Sequence, residues 1–205
     1  SGKAGFIGRL AAKRAGVPKI IHSIHGPSFG PFQGHLANAL FRSAERFAGR
    51  MTDHFVTVAD AMRDRYLAAS IGQAGGYTRI SSGFDLEPFL QAKNSPEIRR
   101  QLDLAPGDFV VGKIARLFEL KGHDDLFSIA PQLARRIPNL RFLLVGDGVW
   151  RGQFERLAKR IGCEQNFVFT GLVPPAEIPS LVGVMDALVH LSRREGLPRA
   201  LPQAM

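Results

Sequence analysis

Phe109-Val110-Val111-Gly112-Lys113-Ile114-Ala115-Arg116-Leu117-Phe118-Glu119-Leu120-Lys121-Gly122 runs from an apolar, β-branched stretch into a polar loop, and an amphipathic segment, His123 to Ile137, follows at once. A strand that feeds a helix through a short loop is half of a βαβ unit, and the same succession repeats downstream. Arg141 to Val145 reads as a strand, Arg151 to Ile161 as a helix and Asn166 to Thr170 as a strand. Ala176 to Val184 then reads as a helix and Asp186 to Leu191 as a strand, while Pro131 predicts a kink in the helix that starts at His123. Strands separated by helices of this length predict right-handed crossovers and a parallel sheet covered on both faces. The fold class is α/β.

Upstream, Gly5 to Ala15 has helical periodicity and stops at Gly16-Val17-Pro18, and the β-rich run Lys19 to Ile24 ends at His25-Gly26. A loop rich in Gly, Pro and Phe reaches Gly34, and His35 to Gly49 is amphipathic, with Leu36, Leu40 and Phe47 near one face. His54 to Val58 reads as a strand, Asp60 as the cap of a helix running to Ala69, and Tyr77 to Ser81 as a strand before the turn Ser82 to Asp85. Between Glu87 and Asp108 the alternation breaks, and a short helix is expected from Ser95 with Pro96 at its first position. The expected organisation is a first Rossmann-like domain over 1–90, a linker over 91–107 and a second Rossmann-like domain over 108–205, both with incomplete sheets.

At 205 residues and 45% hydrophobic content the chain is globular. A lone Cys163 forms no internal disulfide, so a reducing compartment is the default. No apolar run approaches the ~20 residues that cross a bilayer. The chain starts at Ser1 with neither an initiator methionine nor a signal peptide, which predicts an internal portion of a longer protein. A formal charge of +9 favours anionic partners: nucleotide phosphates, acidic lipid surfaces or nucleic acid. Because the cations are scattered in pairs such as Arg99-Arg100 and Arg193-Arg194, with no aromatic stacking platform, nucleic acid is the disfavoured partner.

Open α/β sheets bind ligands at the carboxyl ends of their strands, so three loops matter. Ala115 to Gly122 carries two cations; Arg116 can grip phosphate oxygens bidentately and Lys121 is a mobile point charge. Leu144-Val145-Gly146-Asp147-Gly148 breaks an apolar strand at glycines that admit a close approach to the backbone, without the third glycine of the dinucleotide fingerprint. Ser192 to Met205 reads as a strand end, a turn carrying Glu195 and Gly196, and a helix start near Arg199, with Pro202 in its first turn. Free amides at such a start favour anions. His22 and His25, three apart in a strand, point to opposite faces and do not pair on a metal.

Taken in order, Ile114-Ala115-Arg116-Leu117, Lys121-Gly122, Leu144 to Gly148, Val168-Phe169-Thr170-Gly171, Asp186 and Glu195-Gly196-Leu197-Pro198 resemble the retaining GT-B fold glycosyltransferases of family 4. His22-Ser23-Ile24-His25-Gly26 and Ser81 to Asp85 resemble the acceptor-side domain of the same family. The resemblance implies a GT-B fold of two Rossmann-like parallel-sheet domains, the second binding the donor. It implies a hexosyltransferase-type enzyme, of the kind used in polysaccharide biosynthesis, that moves a sugar from a nucleotide-sugar donor to a glycan or lipid-linked acceptor. By position, Arg116 and Lys121 then bind the donor diphosphate, with Gly146 beside it. Glu195 contacts the donor sugar, and Gly196 and Leu197 offer amides. His25 faces the transferred sugar from the first domain. Gln203 falls where the family has a second acidic residue, so it can bond a ribose hydroxyl only as a neutral group. No metal or other cofactor is implied; the expected location is cytoplasmic, with peripheral contact at the anionic inner face of the membrane. Two alternatives stand beside it: a GT-B nucleotide-sugar epimerase, and a non-catalytic basic module for anionic lipid or nucleic acid. Because the terminal motif stops within its first helical turn, residues 1–205 alone are expected to be poorly active.

Overall fold

The computed structural model describes residues 2–205 and divides the chain into two compact units. The first comprises residues up to Gly83 together with Arg194–Leu197; the second comprises Phe84–Arg193 and Pro198–Met205. The stretch expected as a linker, 91–107, folds as part of the second unit.

In the first unit the helix α1 (Gly2–Arg14) precedes β1 (Ile21–Ile24), α2 (His35–Gly49), β2 (His54–Thr57), α3 (Asp60–Ala68) and β3 (Tyr77–Arg79). The three strands lie parallel in the order β1-β2-β3. Ile24, Phe29, Phe55, Met62, Tyr66 and Ile71 form the core beneath α3. Under α1 the Arg9 guanidinium meets the Glu45 carboxylate at 2.6 Å, both side chains only 3% exposed, and Arg9 Nε also donates to the Gly5 carbonyl. Asp60 does not cap α3: Ala59 holds the cap position in extended conformation, and the Asp60 carboxylate is engaged by Arg63 at 3.2 Å and Arg79 at 2.8 Å.

The second unit opens with two short helices, α4 (Glu87–Leu90) and α5 (Pro96–Gln101), the latter capped by Ser95 Oγ, which accepts from the Ile98 amide. There follow β4 (Phe109–Ile114), α6 (His123–Arg136), β5 (Leu140–Val145), α7 (Arg151–Arg160), β6 (Phe167–Gly171), α8 (Ile178–Gly183), β7 (Ala187–Leu188) and α9 (Ala200–Ala204). The parallel sheet has the order β6-β5-β4-β7. Alternation along β5 explains the burial on both faces. Leu140, Phe142 and Leu144 enter the core with Phe127, Phe154 and Phe167 under α6 and α7, whereas Leu143 and Val145 enter the opposite core with Leu104, Val110, Leu181 and Val184. Phe127 and Phe167 stack with ring centres 4.2 Å apart at the centre of the first of these cores.

Two segments differ from expectation for local reasons. The helix expected from Ala176 begins as a 3-10 turn, Pro175–Glu177, and becomes α-helical only at Ile178, because Pro175 and Pro179 fix φ and remove donors. β7 is shorter than the run Asp186 to Leu191, although Asp186 and Val189 still bond to Val110 and Gly112 of β4. α6 runs through Pro131 to Arg136.

The 94–108 segment is anchored by Arg99, 6% exposed, whose guanidinium donates to the carbonyls of Ala105, Asp108 and Val184 and to Asn94 Oδ1. Several acceptors thus depend on one buried cation, so its removal leaves carbonyls without donors. Replacing Arg99 by Ala is expected to cost about 3 kcal/mol, read as a lower urea midpoint at unchanged slope. An unchanged midpoint would show that this anchor contributes nothing to stability.

Candidate functional site

The strand order of the second unit identifies one end of one gap. From β4 the chain moves outward through β5 to β6, then returns across the sheet to β7 on the other side of β4. At such a reversal the loops leaving the two central strands diverge to opposite faces and open a crevice at their carboxyl ends. Within the second unit those loops are residues 115–122 after β4 and 189–193 after β7.

Main-chain packing holds the first loop. Leu117, fully buried, receives the Trp150 amide on its carbonyl and donates to the Asp147 carbonyl at 2.9 Å. A Cβ at Gly146 would collide with the Ala115 carbonyl, and one at Gly148 with the Leu117 backbone. The side-chain space at both glycines is therefore filled by protein backbone. Gly146, at φ +130, also adopts a conformation that other residues avoid. The far end of the loop meets the β7 side. A Cβ at Gly122, φ +69, would strike the Leu191 carbonyl, and the Leu120 carbonyl accepts both the Arg193 amide at 2.8 Å and Ser192 Oγ at 3.2 Å. Leu120 is itself left-handed, φ +65, a strained state for a branched side chain held by these two bonds.

On this frame Arg116 is exposed, its guanidinium lying 5.7 Å from the centre of the Phe118 ring. No carboxylate pairs with it among the described residues. Five residues on, Lys121 is half-buried on the same loop. The acidic pair Asp124 and Asp125 opens α6, where the helix dipole favours them, and Arg193 bridges both at 2.7 and 2.6 Å. In the sequence Arg193 is one of the cations scattered in pairs. Only the register of the two loops reveals it as their tie.

A second missed residue is His123. As the first residue of α6 it is 1% exposed, its ring 5.1 Å from that of Phe154, and its Nε2 donates to the Arg116 carbonyl at 3.1 Å. Nδ1 is buried without a partner. Burial pushes the ring down to about 4 against the raising effect of its bond to the Arg116 carbonyl, with smaller contributions from Lys113 and Lys121, which lower it, and from Asp124, which raises it. The position directly after Lys121-Gly122 was the only signal in the sequence.

The remaining expected residues are distributed between the units. Gln203, in α9, lines a 540 Å³ cavity with Leu86, Phe89, Val182 and Met185. Pro202 falls within the first turn of α9, whose cap is Arg199. In the first unit His25 is exposed just past β1, while His22 within the strand is buried. Gly196 lies so close that a Cβ there would meet the His25 carbonyl, and Arg194 Nε donates to the Pro27 carbonyl at 3.1 Å. Glu195 and Leu197 flank Gly196 in that segment and are both half-buried. Among the described residues no three His, Cys, Asp or Glu side chains gather around a point that could hold a metal ion. Nor, among the described residues, is any helix long and apolar enough to cross a membrane.

The family model described as "Glycosyl transferases group 1" matches residues 94–205, more than half of the chain, and that of a "Glycosyl transferase 4-like domain" matches residues 1–83. A GDP-mannose-dependent phosphatidylinositol monomannoside mannosyltransferase of Mycolicibacterium smegmatis is 28% identical over 90% of this chain and 47% of its own length. An Escherichia coli galactosyltransferase named for UDP-Gal and GlcNAc-diphosphoundecaprenol is 26% identical over all of this chain and 53% of its own length. The chain thus spans about half the length of these curated relatives. Among solved structures, Anabaena HepE in complex with UDP-glucose superposes with a TM-score of 0.81 at 27% identity, covering all of this chain and 55% of that one.

The two buried histidines set an acid limit. His22, like His123, is held down to about 4 from 6.5, chiefly by burial. Between these values the unfolded chain binds protons that the folded chain refuses, so the histidines' contribution to stability falls as pH drops from 6.5 to 4 and changes little below. The loss amounts to roughly 3 kcal/mol per histidine, measurable as urea midpoints that decline across this window. Midpoints that stay level from neutrality to pH 4 would show that neither ring is held neutral.

Proposed function

We propose, from the premise that the chain belongs to the glycosyl transferases of group 1, that the full-length protein moves a sugar from a nucleotide-sugar donor to a glycan or lipid-linked acceptor, with retention at the anomeric carbon. The chain is a GT-B glycosyltransferase of family 4, and the reading gives the donor to its second unit and the acceptor to its first. One observation carries the reading: Arg116, with no carboxylate partner among the described residues, stands on a loop pinned on both sides at the carboxyl end of β4, beside the reversal of the sheet.

In this reading Arg116 and Lys121 grip the donor diphosphate. When the bond from the sugar to the diphosphate breaks, negative charge develops on the departing nucleotide, and two fixed cations stabilise it more than they stabilise the intact donor. Because the loop is held by main-chain bonds, little reorganisation is required at that moment. Arg116 contributes a planar fork for two oxygens and Lys121 a compact charge for a third. Glu195 and His25, both in the first unit's share of the chain, act on the transferred sugar, with the amides of Gly196 and Leu197 as further donors. Gln203 serves the ribose as a neutral partner. The phosphates need no metal in this scheme because the cationic pair supplies the countercharge. A diphosphate-linked or phosphoinositide acceptor suits the +9 charge, and such acceptors offer themselves at an anionic membrane surface.

The test offers the full-length protein a panel of nucleotide sugars. Replacing Arg116 and Lys121 together by Ala is expected to lower turnover by ~10² to 10⁴-fold, with the anomeric configuration of the product retained by NMR. Turnover that survives the double replacement refutes the assignment. Conversion of the donor sugar in the absence of any acceptor would identify an epimerase instead.

A further inference from the structure

We propose that His123 is a positioning residue: by holding the Arg116 carbonyl from inside the core, it sets the direction of the exposed guanidinium. The inference rests on the reading of Arg116 as a diphosphate cation. Four observations carry it.

The contact is the only side-chain tie that the described hydrogen bonds place on the Arg116 peptide, Nε2 to carbonyl oxygen at 3.1 Å. Its neighbours along the loop are tied through backbone, Ala115 to Val145 and Leu117 to Asp147, so His123 completes a row that fixes successive residues. The ring cannot swing away, because it is 1% exposed and packed against Phe154, itself stacked on Phe127. A neutral ring has one N–H to give, and bonding to a carbonyl assigns that hydrogen to Nε2.

Nδ1 consequently remains a buried acceptor without a partner, a state that costs stability relative to an apolar side chain of the same shape. Phenylalanine would fill this aromatic pocket without that cost. A residue serving only the core has no use for the imidazole. The donor aimed at Arg116 is what the imidazole supplies and phenylalanine lacks. Burial holds the ring neutral, and the charges around it, Lys113 on β4, Lys121 on the loop and Asp124 on α6, do not reverse that, so the ring keeps one protonation state throughout the physiological range. The geometry of Arg116 is thereby insulated from pH.

Without this tie, the peptide between Arg116 and Leu117 is held on one side only, by the Leu117 amide on the Asp147 carbonyl, and a guanidinium displaced by its tilting no longer matches two phosphate oxygens. Misplacement of about 1 Å can cost ~10²-fold in rate. The experiment compares the full-length protein with His123→Phe, which keeps the ring and loses the donor, and His123→Gln, which reaches a donor to the place of Nε2. Amide hydrogen exchange over residues 116–122 reads the position of the loop, and calorimetry with inorganic pyrophosphate and with UDP reads the cation site. His123→Phe is expected to speed exchange in that segment alone and to weaken both ligands by ~10-fold, without a lower melting temperature, while His123→Gln recovers most of each. If His123→Phe does not fold, His123→Leu takes its place. Exchange unchanged from the parent overturns the inference, whatever the affinities do. Altered exchange together with unaltered pyrophosphate and UDP binding overturns the link from His123 to the cation. Failure of the parent itself to bind either ligand overturns the diphosphate reading of Arg116, while altered exchange in the variant still supports the positioning contact.

Discussion

Backbone lies directly against backbone at the carboxyl ends of β4, β5 and β7, and this contact organises the second unit. Gly146 and Gly148 face the carbonyls of Ala115 and Leu117, and Gly122 faces that of Leu191. A methyl group at any of the three would push the 115–122 loop away from a neighbour. The loop would then lose the bonds from Trp150, to Asp147 and from Arg193 that make it rigid. Left-handed φ at Gly122 and at Leu120 lets the chain turn sharply enough to enter α6 at His123. Thus a row of absent side chains brings the backbones together, and the side chains of His123, Ser192 and Arg193 add ties to the loop that displays the two cations.

Around that contact the energetic terms divide cleanly. Apolar burial is symmetrical: alternate residues of β5 serve two cores, one aromatic under α6 and α7 and one aliphatic toward α5 and α8. Some polar groups inside are satisfied by forks and carbonyls, as with Arg99 in the second unit and the Arg9 to Glu45 pair in the first. Among the described residues other buried atoms lack a hydrogen-bond partner: His22 Nε2, Gln33 Oε1, Thr57 Oγ1, Arg141 Nε and, at the edge of the aromatic core, Nδ1 of His123. The exposed Arg116 above it and the buried ring below form one assembly across the same peptide.

Much of the fold was legible because period and punctuation agree. β4, β5 and β6 were recognisable from apolar runs ended by Gly or polar residues, and the Ser95-Pro96 start of α5 from cap chemistry. Asp60 misled because an aspartate near a helix start suits the cap and the first turn alike. Two arginines decide between them, one of them remote in sequence, Arg79. Of the candidate site, Arg116 and Lys121 were visible as cations on a strand-end loop. His123 and Arg193 were not, since a histidine inside a helical run and one arginine of a pair carry no pattern that distinguishes a tie from a solvated face. Gly148 was visible as a turn residue, but nothing in Gly-Asp-Gly tells whether the freed space receives a ligand or a neighbouring loop.

By itself the sequence determined the α/β alternation, the parallel sheets, the excess of positive charge and the loops able to carry it, because these follow from local periodicity, propensity and composition. Only the tertiary structure decided that β7 returns beside β4 rather than extending beyond β6, and therefore which two loops share a crevice. Strand order is a choice among packings of similar local cost, settled by contacts between residues far apart in the chain. In this protein those are Arg193 with Asp124 and Asp125, Ser192 with Leu120, and Gly122 against Leu191, each spanning about 70 residues of sequence.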